Sequence, residues 1–118
     1  MDAEKPYRFT FLLLDRFTLM PFSAAIEPLR LANRAAGRPL YEWRLVGLAG
    51  AGGQVSCSNG TTVSLDAGLD VDPARHETVI VCAGLIGSSR FDSIRAITSA
   101  RRGWRTPIRV AIDRRWRS

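Results

Sequence analysis

Cys82 is the side chain in this 118-residue chain with the best local context for covalent chemistry. It closes the β-branched run Thr78-Val-Ile-Val-Cys82 and has Gly84 two positions on, as a nucleophile on a sharp strand-to-helix elbow would. Such an elbow also needs a small residue two positions earlier, because the turn forces backbones together, and Ile80 stands there. His76, the single histidine, sits in the loop before the same strand and suggests no general base. A buried structural thiol is therefore the better reading of Cys82. Cys57 is the other cysteine; the two lack close spacing, and with one histidine they give neither a disulfide framework nor a zinc site. No metal and no cofactor are expected.

Glu27, Arg30 and Arg34 follow one another at spacings of three and four, which on a helix describes a solvated face carrying ion pairs. Pro28 removes a backbone donor next to Glu27, and a backbone departure near a strand end is a common way to aim one side chain inward. The spacing by itself favours the surface ion pair for Glu27; a pocket role, which makes it the first site candidate, rests on Pro28 together with the family resemblance given below. Gly84 can lend its N–H to a ligand's carboxylate or carbonyl, or can simply turn the chain. Asn59-Gly60 reads as turn chemistry and Trp43 as core.

The elements that must position these residues alternate between strand and helix. Arg8 to Leu14 is bulky, apolar and short, which suits a strand covered on both faces. A helix is expected from about Pro21 to Ala36, starting late or kinked at Pro28 and ended by Gly37 and Pro39. A second strand is expected over Tyr41 to Leu48, with Tyr41, Trp43, Leu45 and Val46 inward. Gln54 to Ser58 and Thr61 to Leu65 flank Asn59-Gly60 as a hairpin. Thr78 to Cys82 reads as a buried parallel strand. This order suggests an α/β layered domain, in which ligands bind beyond the carboxyl ends of the strands. That places the pocket between the loops Asp15 to Thr18 and Ala83 to Gly87.

The net charge of +6 suggests nucleic acid until it is located. Eight basic residues face nine acidic ones up to Leu85, whereas nine arginines face only Asp92 and Asp113 from Ile86 onward. The apolar run Phe9 to Leu14, with Thr10 inside it, is far too short to span a membrane as a helix. The segment Met1 to Lys5 carries no signal-peptide pattern, so the cytoplasm is expected and no membrane contact.

Phe11-Leu-Leu-Leu-Asp-Arg-Phe17, Ala25-Ile-Glu-Pro-Leu-Arg30 with Ala32-Asn33, Tyr41-Glu-Trp-Arg-Leu45, Ser58-Asn-Gly60 and Val79-Ile-Val-Cys-Ala-Gly84 recur here in a fixed order. Together they resemble the start of GlxA-type AraC-family transcriptional regulators. The likeness covers about residues 8 to 85. It implies a PfpI-like, class I glutamine amidotransferase-like sensor domain: an α/β three-layer sandwich with a mainly parallel, flavodoxin-like sheet, here incomplete at its carboxyl end. Catalytic relatives in that fold carry a helix glutamate, a Gly-Gly pair and an elbow cysteine. By resemblance Glu27 matches the first and Ala83-Gly84 the second, with one glycine replaced; the elbow would lie after residue 85, and nothing there fits it. The implied function is a truncated, non-catalytic, effector-binding amino-terminal domain without the helix-turn-helix DNA-binding part. Its partner would be a small-molecule effector held near Asp15, Glu27, Ala83 and Gly84, with homodimer formation left open and no direct DNA contact from residues 1–85. The alternatives are a remnant of a PfpI-like hydrolase or amidase and a small basic nucleic-acid-binding protein.

Residues 86–118 form a second, Arg-rich segment with three readings. Phe91, Ile94 and Ile97 recur at helical spacing and Ile108, Val110 and Ile112 alternate as in a strand, so the segment can continue the α/β pattern. Its arginine density, abrupt onset and missing elbow instead favour a frameshifted or degenerate tail. Arginines with Trp104 and Trp116 also suit phosphate contact and base stacking.

Overall fold

The computed structural model describes residues 5–71 and 77–84, together with the backbone of two further strands at 108–111 and 116–117. In chain order the elements are β1 (Tyr7–Leu13), α1 (Leu19–Ala36), β2 (Tyr41–Val46), β3 (Gln54–Ser56), β4 (Thr62–Ser64), β5 (Thr78–Cys82), β6 (Ile108–Ala111) and β7 (Trp116–Arg117). The main sheet runs β2-β1-β5-β6-β7, with β3 and β4 forming a separate two-stranded sheet. β1 pairs in parallel with β2 and β5, and β5 with β6; β7 alone joins antiparallel. The chain is thus an α/β protein with a mainly parallel sheet, as the alternating pattern predicts. The strand over 108–111 falls on the alternating stretch of the Arg-rich segment. The helical spacing Phe91 to Ile97, residues 85–87 of the expected pocket and His76 lie outside the described residues.

Side chains alternate across a strand, so β1 feeds two cores. Phe11 and Leu13 join Phe17, Phe22, Ile80 and Cys82 on one face, where Ala25, Ile26 and Leu29 of α1 pack against them. Leu12 and Leu14 join Val46, Val79, Val81 and Ala83 on the other, backed by Ala67, Leu69 and Val71. Phe22 stands edge-on to both Phe11 and Phe17, at centroid distances of 5.5 and 5.6 Å, so one helix residue ties the strand to the turn that follows it.

Three departures from the expected boundaries have local causes. α1 starts at Leu19, because Pro21 falls in the first helical turn, where its missing N–H is no loss. β2 ends at Val46: the next residue, Gly47, donates its N–H to the Ala67 carbonyl at 3.1 Å. The hairpin strands have three residues each, Cys57 joining Phe17 in a parallel bridge, while the ladder's hydrogen bonds continue past both ends, from the Cys57 N–H to the Thr61 carbonyl and from the Leu65 N–H to the Gly53 carbonyl. At the tip Gly60 has φ +91°, and the Thr61 N–H donates to Asn59 Oδ1 at 2.9 Å. The Asn-Gly pair therefore acts as turn chemistry, as expected.

One polar group crosses the second core face. Glu77 is 1% exposed and Thr10 fully buried. The Thr10 hydroxyl donates to Glu77 Oε2 and accepts from Arg44 Nε at 2.9 Å, while Arg44 Nη2 lies 3.2 Å from the same carboxylate oxygen. Thr10 and Arg44 are register partners on β1 and β2, and Glu77 immediately precedes β5. The cluster therefore links the three adjoining strands. Removing one partner of a buried pair leaves a charge that its surroundings cannot solvate. Arg44→Met is expected to lower unfolding stability by about 3 kcal/mol in urea titration, well beyond the effect of an exposed arginine such as Arg38→Met.

Candidate functional site

The carboxyl end of β1 is a forced turn. Leu14 is buried and bonded to β5 through its N–H, which donates to the Cys82 carbonyl at 3.0 Å. Phe17 must re-enter the core on the helix side, and its N–H closes back on the Leu14 carbonyl at 3.0 Å. Arg16 absorbs the reversal with φ +61°, a left-handed conformation unfavourable for a residue with a side chain. Neighbouring backbone holds it there: the Arg16 N–H donates to the Ser56 carbonyl and the Ser58 N–H to the Phe17 carbonyl, both at 2.8 Å.

Gly84 completes this junction. A Cβ built on it would lie 2.3 Å from the Arg16 carbonyl oxygen, and the Thr18 N–H donates to the Ala83 carbonyl at 3.3 Å. Glycine is needed here for close approach. The loops Asp15–Thr18 and Ala83–Gly84 thus meet at the strand ends. Asp15 is exposed on the turn, while Ala83 is buried.

Glu27 belongs to a different place. It lines a groove of about 630 Å³ along the outer side of α1, with Leu19, Met20, Pro28 and Leu31 as apolar wall and Ser23 and Asn59 as further polar groups. Neither Asp15, Ala83 nor Gly84 lines it. Pro28 sits inside a helix assigned without a break from Leu19 to Ala36, and it has no N–H to give the Ala24 carbonyl one turn back, which also borders the groove. Glu27 holds Arg30 through Nη2 at 2.6 Å and Nε at 3.2 Å. The hydrogen bond from Arg30 keeps the Glu27 carboxyl below its ordinary range. Glu27 is thus the ion-pair residue that its spacing describes, and it borders a groove other than the strand-end pocket expected for it. Asn59 Oδ1 is committed to the hairpin, accepting from Thr61 N–H and from Cys57 Sγ at 2.7 Å.

Cys82 is fully buried in the helix-side core, and burial pushes its thiol up to about 12. It is a free thiol, as is Cys57. Among the described residues no three His, Cys, Asp or Glu side chains could hold a metal ion. Sequence reasoning did not single out Arg16, Ser23 or Met20. Met20 and Leu31 were legible in principle, as apolar residues off the inward stripe of α1; they are 77% and 51% exposed. The strain at Arg16 carries no sequence signal, since nothing about an arginine announces a positive φ.

No family model matches the chain. Over 82 residues it is 46% identical to the HTH-type transcriptional regulator GbdR of Pseudomonas aeruginosa, a match covering 70% of this chain and 22% of that protein. Over 109 residues it is 41% identical to the HTH-type transcriptional regulator GlxA of Rhizobium meliloti, covering 92% of this chain and 33% of that protein. The chain therefore spans between about a fifth and a third of the length of these relatives. Among solved structures it resembles the crystal structure of an AraC family transcriptional regulator from Pseudomonas putida, with a TM-score of 0.57, 22% identity, and coverage of 83% of this chain and 52% of that one. That likeness is one of fold. In sequence the chain is similar to part of these HTH-type transcriptional regulators, in line with the resemblance that its motifs carry.

The strained turn makes an opposed pair of predictions. Arg16→Gly is expected to leave stability unchanged or raise it by up to about 1 kcal/mol, whereas Gly84→Ala should destabilise clearly by driving a methyl into the Arg16 carbonyl. Chemical denaturation of both variants checks this, and a destabilised Arg16→Gly would contradict the assigned strain.

Proposed function

We propose that this chain is the effector-binding part of an AraC-type transcriptional regulator, without a catalytic step of its own. Its kinship to HTH-type regulators over 70% to 92% of its length carries the proposal. A regulator of this kind needs a site whose occupancy biases the pose of attached DNA-binding units. Two features suit that role. The groove combines an apolar wall with Glu27, Ser23 and Asn59, as small-molecule sites do. The junction of Asp15, Ala83 and Gly84 lies at the strand ends, where ligands of parallel sheets bind. The N-terminal end of α1 touches both, since Leu19 borders the groove and Thr18 bonds Ala83. A ligand in the groove would therefore press on the strained turn. Acting on genes, such a protein would work in the cytoplasm; among the described residues no helix is long and apolar enough to cross a membrane.

For residues 86–118 we favour the continuation reading. β6 pairs with β5 in parallel register, Val79 opposite Ile108 through Cys82 opposite Ala111. Of the 109 residues matched to the Rhizobium regulator, no more than 85 can precede Ile86, which leaves at least 24 beyond it. Both observations support a segment that extends the sheet rather than an unrelated tail, with the boundary near residue 85 marking a change of charge.

Two measurements test the proposal. Small polar metabolites screened by thermal shift should include one that raises Tm, and Glu27→Gln should weaken its binding roughly tenfold; undiminished binding would remove Glu27 from the site. Cys82 should react with thiol reagents far more slowly than a free cysteine at pH 8, since its thiolate is disfavoured. Rapid labelling of Cys82 in the folded protein would restore the hydrolase reading. The same thiol sets a pH dependence. Its pKa is raised on folding, so its contribution to stability is complete below the ordinary value of 9.0 and is lost as pH rises from there to about 12. Cys82→Ala should flatten that decline.

A further inference from the structure

β2 ends the sheet order and so presents an outer edge. Backbone groups alternate between the two edges of a strand. The Tyr7 N–H donates to the Leu40 carbonyl, so Glu42, Arg44 and Val46 turn their backbone toward β1, and Tyr41, Trp43 and Leu45 turn theirs outward. An open row of outward groups is a template for another strand.

Two side chains from elsewhere in the fold occupy that row. Asn33, on α1, accepts from the Tyr41 N–H through Oδ1 at 2.9 Å and donates through Nδ2 to the Tyr41 carbonyl at 2.8 Å. Its carboxamide satisfies both backbone groups of one residue, as a neighbouring strand's peptide would. Four residues further along β2, at Leu45, Asp66 fills the row with its side chain and its backbone. The Leu45 N–H donates to Asp66 Oδ2 at 2.8 Å, and the Leu45 carbonyl accepts from the Asp66 N–H at 2.7 Å and the Ala67 N–H at 3.2 Å. Only Trp43, between the two, keeps an outward N–H and C=O with no partner among the described residues.

We infer that Asn33 and Asp66 are plugs that close the β2 edge against pairing with a second copy of this chain. A strand docking there would need consecutive outward positions, and the plugs leave it one. Their placement explains why this parallel edge can persist: at Tyr41 a side-chain amide from the helix, and at Leu45 the Asp66 carboxylate beside the short parallel bridge of Val46 with Ala67, stand where the next strand's backbone would lie. The inference is independent of effector binding.

Per-residue amide hydrogen exchange on the unmodified chain is the first test. Tyr41 and Leu45 N–H groups should exchange roughly tenfold or more slower than the Trp43 N–H between them; equal rates at all three positions would overturn the inference. The second test is the double variant Asn33→Ala with Asp66→Ala, followed by light scattering across a concentration series. Its mass should rise with concentration, and an added peptide of residues 40–46, N-methylated at alternate positions so that it pairs on one side only, should reverse the rise. A folded double variant that keeps the mass of the unmodified chain would overturn the inference. Should the double variant fail to fold, Asn33→Ser alone and the exchange pattern of the unmodified chain decide by the same criteria.

Discussion

From Thr10 onward β1 has neither a face nor an edge to give to water. Phe11 and Leu13 are sealed on the helix side, Leu12 and Leu14 on the other, and β2 and β5 occupy both edges. A strand in that position can leave the sheet only by an abrupt turn, because the residue after it, Leu14, is still buried and still bonded to the Cys82 carbonyl. The left-handed Arg16, the close approach of Gly84 and the re-entry of Phe17 all follow from that constraint. So does the start of α1, whose first residues are positioned by the turn rather than by a side-chain cap.

The same burial explains the polar cluster. Thr10 is the one polar residue in an otherwise apolar stretch of β1, and a buried hydroxyl needs a partner. It finds two, in Arg44 and Glu77, and the three together fix which residue of β2 faces which residue of β1. In a sheet buried on both faces the hydrophobic pattern specifies register weakly, since a slipped strand still buries apolar residues. A polar group that is satisfied in only one register supplies the missing specificity.

The site candidates divide along this architecture. Ala83, Gly84 and Asp15 lie where β5 and β1 end, and their meeting was legible because parallel strands carry their loops to one end of the sheet. The groove was not. It depends on where the hairpin tip comes to rest beside α1, and that is set by the Phe17–Cys57 bridge between segments about forty residues apart. Glu27 was found from its neighbours in sequence, but its company, Asn59 across the groove and Met20 about two turns back along α1, required the folded chain.

The sequence alone determined the element types, the hairpin at Asn59-Gly60, the parallel strand Thr78 to Cys82, the buried state of that cysteine and the resemblance to GlxA-type regulators, because each rests on local periodicity, turn chemistry or motif order. Tertiary structure decided which polar side chains are structural. Asn33 and Asp66 read as an ordinary helix residue and an ordinary loop residue until both are seen bonded to the outer backbone of β2. Arg44 reads as a charge on a strand until Glu77 is found beside it. The reason is common to all of them: a hydrogen bond between residues far apart in sequence leaves no periodic trace, so its partners become known only when packing brings them together.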